Sequence, residues 1–211
     1  LKGRVLYYTG NYKTALDCLE RAIQNLRNVE QYGHDMLSFA ARCCRRLGDY
    51  VEAEKWYQKG IALFEGEDQE DCYWKLIGLY EEQKRLEEAF LLLNEAYQKN
   101  LITEEEYVND SIDIRRGLCY DKEQAKQLEQ EAYQAAQKFD SIDAWETLAD
   151  LQFFYLDDTK KALETKKLVM ERVEQEQVQW EHNKKYLERM QIYWEAKDTK
   201  EVEKWAERYI Q

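Results

Sequence analysis

One short polar turn recurs six times along the chain, each time with a small or aliphatic residue five positions after the turn begins. The turns are GNYKTA from Gly10, GDYVEA from Gly48, KRLEEA from Lys84, YDKEQA from Tyr120, DDTKKA from Asp157 and KDTKEV from Lys197. Their spacings are 38, 36, 36, 37 and 40 residues. Periods of this length mark arrays in which one supersecondary unit is stacked on the next. In the first four units a second small residue follows seven positions later, giving Ala15/Ala22, Ala53/Gly60, Ala89/Ala96 and Ala125/Ala132. Seven residues are about two helical turns, so each pair lines one face of the helix after its turn and lets another helix approach closely.

The segment before each turn carries a complementary stripe. Leu37, Ala40/Ala41, Cys44 and Leu47 in unit two, and Tyr73, Leu76/Ile77 and Tyr80 in unit three, recur at i, i+3/i+4 and i+7. That is the period of an amphipathic helix. Each unit thus reads as a helical hairpin with large residues on its first helix, helix A, and small residues on its second, helix B. Composition agrees: the 211 residues contain no proline and only 8 glycines, which favours long uninterrupted helices over many-turned β architectures.

The units resemble the tetratricopeptide repeat family. The resemblance rests on LSFAARCCRRLGDYVEAEKWYQKGIALF, YWKLIGLYEEQKRLEEAFLLLNEAYQ and GRVLYYTGNYKTALDCLERAI. These stretches carry the family's small packing position at Gly3 and Ala41, its helix A aromatic at Tyr80, the turn, the following Ala, and the helix B aromatic at Tyr57. Units four to six keep the spacing and lose the signature, with Glu129, Val169 and Val202 at signature positions; no unit has the closing Pro. The family implies an all-α fold, a right-handed α-α superhelix of six hairpins in one domain. Its units fall near 1–33, 34–68, 69–103, 104–139, 140–178 and 179–211. Lys160 to Glu195 has no Gly or Pro, so a loop is expected within EQEQVQWEHN or the helix is nearly continuous. The chain opens on Leu1 rather than Met and is expected to be a piece of a longer protein.

In such an array the A helices line a concave surface. Residues opposite the packing stripe face it: Arg4, Tyr7 and Tyr8 in unit one, Ser38, Arg42, Arg45 and Arg46 in unit two, and Trp74 with Glu81/Glu82 in unit three. The charge distribution makes this patch distinctive. The net charge of −12 divides into +3 over 1–50, −14 over 51–150 and −1 over 151–211. Arginine forks match carboxylates and aromatic rings supply contact area, so an acidic segment or C-terminal carboxylate of a partner is the expected ligand. The alternative is that the arginines pair with neighbouring acids or are simply solvated, and that Tyr7 and Trp74 are packing residues. Tetratricopeptide domains that capture chaperone C-termini carry a Lys and an Asn at fixed groove positions. The equivalent places here hold Ser38, Arg42, Trp74 and Gly78, so chaperone binding is not carried over. A second candidate surface is apolar: Leu151, Phe154 and Tyr155 from AWETLADLQFFYLDD, with Trp194 beside them, covered either by a partner or by the chain's own later segments.

No phosphate loop, dinucleotide fingerprint, H-E-x-x-H or G-x-S-x-G occurs, and His34, expected in a loop, and His182 offer little for catalysis. No catalytic residue, metal site or cofactor is expected. The acidic middle disfavours nucleic acid. No apolar run suits membrane insertion, and five cysteines without C-x-x-C suit buried thiols in a soluble intracellular protein of cytoplasm or nucleus. The leading function is a protein-interaction scaffold that performs no chemistry. A peptide-sensing domain of a larger regulator and a constitutive subunit of an assembly are the alternatives.

Overall fold

The computed structural model describes residues 2–26, 33–119 and 121–175. Among them it contains ten α-helices and no strand: α1 (Lys2–Tyr8), α2 (Tyr12–Asn25), α3 (His34–Leu47), α4 (Tyr50–Leu63), α5 (Gly66–Glu82), α6 (Leu86–Gln98), α7 (Glu104–Gly117), α8 (Lys122–Phe139), α9 (Ile142–Phe154) and α10 (Thr159–Gln175). These are the A and B helices of five hairpins. The sixth unit, with Val202 and Trp194, and the loop sought within EQEQVQWEHN lie outside the described residues.

The repeated turns have one physical basis. At Gly10, Gly48, Lys84 and Asp157, each the first residue of a quoted turn, φ is +79°, +80°, +60° and +57°. A left-handed residue there reverses the chain and lets the next amides satisfy the last carbonyls of helix A. Gly48 N donates to the Arg45 carbonyl at 3.1 Å and Asp49 N to that of Cys44 at 2.9 Å. Gly10 with Asn11, and Lys84 with Arg85, repeat the pattern. The third turn does so with a lysine where the first two use glycine. Helix starts are fixed by side chains: Asp49 accepts from the Glu52 amide at 3.1 Å and Asp121 from the Gln124 amide at 2.9 Å. Thr103 and Glu106 cap α7 reciprocally, at 3.2 and 2.8 Å.

The chain divides into two compact units, 1–107 and 108–211. In the first, α2 packs on α3, α3 on α4, α4 on α5 and α5 on α6. Its core includes Tyr7, Ala15, Leu19, Ile23, Leu37, Phe39, Ala40, Cys43, Phe64 and Cys72. The small residues act as expected at Ala53, Gly60, Ala89 and Ala96, all buried. A Cβ built on Gly60 would lie 2.5 Å from Cys72 Sγ, so this glycine is where helix B of the second hairpin meets helix A of the third. Gly3 plays the corresponding part within the first hairpin, against Leu19. Two expectations are corrected: Ala22 is exposed, its neighbour Ile23 taking the buried position, and Leu47 is exposed at the last turn of α3. In the second unit, α9 packs on α8 and α10. Ile112, Leu128, Ala132, Ala136, Leu148, Leu151 and Val169 belong to its core.

Candidate partner-binding surface

The first unit contains a cleft of about 350 Å³ lined by Tyr7, Arg42, Arg45, Arg46, Tyr50 and Glu82. Each residue is placed by its element. Arg42, Arg45 and Arg46 share the C-terminal half of α3 at helical spacing, and Tyr7 lies in the last turn of α1. Tyr50 begins α4 immediately after the Gly48 turn, and Glu82 ends α5.

The arginines are held by different partners. Arg45 Nε is 2.5 Å from Glu82 Oε2. Arg42 has its guanidinium carbon 4.7 Å from the centre of the Tyr7 ring and 4.9 Å from that of Phe39, so two aromatic faces fix it. Burial acts to raise the pKa of the Tyr7 phenol, but hydrogen bonds from Arg46 and Arg42 and their positive charges outweigh it and hold the phenol below its ordinary value. Two cations thus act on one phenol. Glu82 is the single carboxylate among the lining residues, and it is already bonded to Arg45.

Of the sequence-selected residues, the structure brings Tyr7, Arg42, Arg45 and Arg46 together in this cleft. Arg4 and Tyr8 flank it rather than line it. Arg4 lies 5.2 Å from the Phe39 ring and pairs with Asp35 at 3.4 Å, while Tyr8 is 68% exposed and packs edge-on against Tyr7 and Phe39. Ser38 is not on an open face. It is buried and accepts a hydrogen bond from Lys75 Nζ at 2.9 Å, which ties α3 to α5. Trp74 is half-buried, donates to Glu70 on its own helix at 3.2 Å, and does not line the cleft. His34 is corrected from a loop to the first residue of α3, where its Nε2 lies 2.7 Å from Asp71 Oδ2. Sequence reasoning missed Tyr50 and Phe39. Tyr50 was visible as the Tyr of the GDY turn, four residues beyond Arg46, whereas nothing in the pattern marked Phe39.

The apolar candidate in the second unit is smaller than expected. Leu151 is fully buried in the core, because it falls on the face of α9 that meets its neighbours. Phe154 and Tyr155 remain exposed at 63% and 37%, with the Arg116 guanidinium 5.8 Å from the Tyr155 ring. Trp194 lies outside the described residues. Beneath this face Asp113, Arg116, Asp150 and Lys166 form a charged chain, with Lys166 Nζ 2.9 Å from Asp150 Oδ1. Burial raises the pKa of Asp113 against the lowering effect of Arg116.

Among the described residues, no group of three or more His, Cys, Asp or Glu is placed to hold a metal ion, and no helix is long and apolar enough to cross a membrane. The five cysteines are free thiols; Cys43, Cys44 and Cys72 are buried, and burial pushes them up to about 11, 12 and 12.

Residues 1–66, which contain all of the cleft except Glu82, match the tetratricopeptide repeat family. No curated protein matches the chain in sequence. Solved structures share its fold. BtubC (BKLC) from P. vanneervenii has a TM-score of 0.62 at 15% identity, over 95% of this chain and 87% of that one. The kinesin light chain TPR-like repeats of Podosopora anserina have a TM-score of 0.58 at 14% identity, over 83% and 94%. Acl4, the assembly chaperone of RpL4, has a TM-score of 0.55 at 14% identity, over 99% and 87%. Residues 1–66 are thus similar to tetratricopeptide repeats, and the chain shares the helical-repeat fold of these solved structures.

Proposed function

We propose that this chain is a protein-interaction scaffold that performs no chemistry, and that the Tyr7–Arg42–Arg45–Arg46–Tyr50 cleft holds an acidic segment or C-terminal carboxylate of a partner. The observation that carries the reading is the charge imbalance of the cleft: three arginines face one carboxylate in a protein whose net charge is −12. Guanidinium forks pair bidentately with carboxylates, and rings fixed at the site add contact area without further ordering. Helical-repeat folds present extended surfaces of this kind to other proteins. The fold neighbour described as an assembly chaperone is compatible with such a role.

The test is capture from lysate by the wild-type chain beside Arg42→Glu/Arg46→Glu, after matching their helical circular dichroism. Arg46→Glu alone is the companion variant, because Arg46 is exposed and Arg42 is packed against two rings. A partner retained by the wild type and lost by both variants supports the reading. Equal capture by all three removes the cleft as the site. The exposed Phe154 and Tyr155 then become the better candidate, and with them the assembly-subunit reading.

A further inference from the structure

The cleft carries more charge than one carboxylate neutralises. Arg42, Arg45 and Arg46 contribute three positive charges and Glu82 removes one, leaving two positive charges around a space of about 350 Å³. Arg45 is ion-paired with Glu82, whose charge also acts on Arg46, while Arg42 lies over the Tyr7 and Phe39 rings and both Arg42 and Arg46 act on the neutral Tyr7 phenol, which cannot compensate their charge. The two guanidiniums together have ten N–H donors, and a phenolic oxygen fills two acceptor positions at most. What would satisfy the site is a compact group with about two negative charges and several acceptor oxygens.

We propose that the cleft recognises a phosphorylated side chain within an acidic segment of a partner protein, so that binding is switched on by a kinase acting on that partner. This rests on the cleft being the partner-binding surface. A phosphate monoester carries −1.5 to −2 charge near neutrality and three strong acceptor oxygens, and guanidinium clusters pair with it bidentately. The carboxylate of a glutamate offers one charge and two oxygens, and it leaves one of the cleft's two net charges unmatched. The aromatic rings of Tyr7 and Phe39 hold Arg42 in place before the ligand arrives, so less freedom is lost on binding.

The experiment uses fluorescence anisotropy with the full chain and three labelled heptapeptides. Each has two glutamates on either side of a central residue, which is phosphoserine, serine or glutamate. The phosphopeptide is expected to bind at least tenfold more tightly than the glutamate peptide. The groups facing the cleft are Tyr7 from α1, three arginines from α3, Tyr50 from α4 and Glu82 from α5; no histidine is among them. With a second phosphate pKa near 6, the dianion fraction falls about fourfold between pH 7.5 and 5.5, and the phosphopeptide affinity should follow it. The glutamate peptide should show no comparable fall. Arg46→Ala, at an exposed position, should erase the phosphopeptide's advantage, and Glu82→Gln, which frees Arg45, should tighten its binding several-fold. Equal binding of phosphoserine and glutamate peptides, or no binding of either, overturns the phosphate assignment. Loss of lysate capture in Arg42→Glu/Arg46→Glu would still uphold the acidic-segment reading in that event, whereas unchanged capture would remove both.

Discussion

Gly60→Ala tests whether the small residues are there to let hairpins stack. A methyl group at this position would sit 2.5 Å from Cys72 Sγ, against an ordinary contact of 3.4–4 Å, so roughly 1 Å of relief is needed. Cys72 is 2% exposed, and its Sγ moves about one torsion, so the strain is shared between an off-rotamer thiol and a displaced α5. Overpacking of this kind costs about 1–3 kcal/mol. The gain of Ala over Gly inside a helix offsets about 1 kcal/mol. The expected net loss is about 0–2 kcal/mol. Cys72→Ala alone removes one buried heavy atom and should cost on the order of 1 kcal/mol. The double variant places the new methyl in the space vacated by sulfur, with the Cys72 Cβ at an unstrained 3.5 Å. Its stability should therefore return close to that of the wild type, giving a favourable coupling of about 1–3 kcal/mol. Urea unfolding followed by circular dichroism measures all four proteins. A double variant whose stability change equals the sum of the singles would refute the claim that helix B of the second hairpin and helix A of the third are in contact here.

Three further outcomes follow from the same geometry. Lys84→Gly should stabilise by about 0.5–1 kcal/mol, because an L-residue pays about 1–2 kcal/mol in the left-handed region and glycine returns part of that as unfolded-state entropy; Gly48→Ala should do the reverse, and urea midpoints read both. In native protein, Cys18 and Cys119, which are partly exposed, should react with a thiol reagent faster than the buried Cys43, Cys44 and Cys72, although burial raises the Cys119 thiol too, with all five reacting equally in denaturant. The pKa values of Glu88 and Glu95 are held down by hydrogen bonds from Arg85 and from Lys99 with Tyr73. Both are less protonated folded than unfolded, so the stability they lend is present above the ordinary glutamate value of about 4.3 and is lost as pH falls through their lower folded values. Unfolding midpoints measured from pH 6 to 3 should drop in that window, and Arg85→Gln should remove Glu88's share.

The hairpins were legible because their determinants are local. Each turn needs one left-handed residue followed by a helix start, and Gly10, Gly48 and Asp157 advertise that state through residue types that favour it. Lys84 does not, and its turn was found only through the period. Burial on the small-residue face was legible at Ala53, Gly60, Ala89 and Ala96, where the flanking hairpins fix which side is inside. It failed at Ala22 because Ile23, about 100° further round the helix, borders the same apolar stripe, and the larger apolar side chain takes the core. Leu151 failed for a related reason. A helix that is apolar nearly all round gives no phase from which to choose an outer face.

The candidate site was half legible. Arginines spaced i, i+3 and i+4 on one helix announce a common face, which is why Arg42, Arg45 and Arg46 were found. Of their neighbours, Glu82 in the next hairpin was placed on the same surface by the repeat alignment, whereas Tyr50, across a turn, lies outside the helix A faces that the alignment compares. Ser38 has the helical phase of the groove, yet Lys75 reaches it from α5 and closes that stretch. A one-helix argument cannot see a side chain arriving from the next repeat.

The most direct test of the central claim is site-specific photo-crosslinking in lysate, with a photoreactive phenylalanine analogue replacing Tyr50 in one sample and Phe154 in another, followed by sequencing of the crosslinked peptides. Crosslinks from position 50 to an acidic segment of one protein, lost when Arg46→Glu is added, are the predicted result. Crosslinks confined to position 154, or unaffected by Arg46→Glu, would contradict the account.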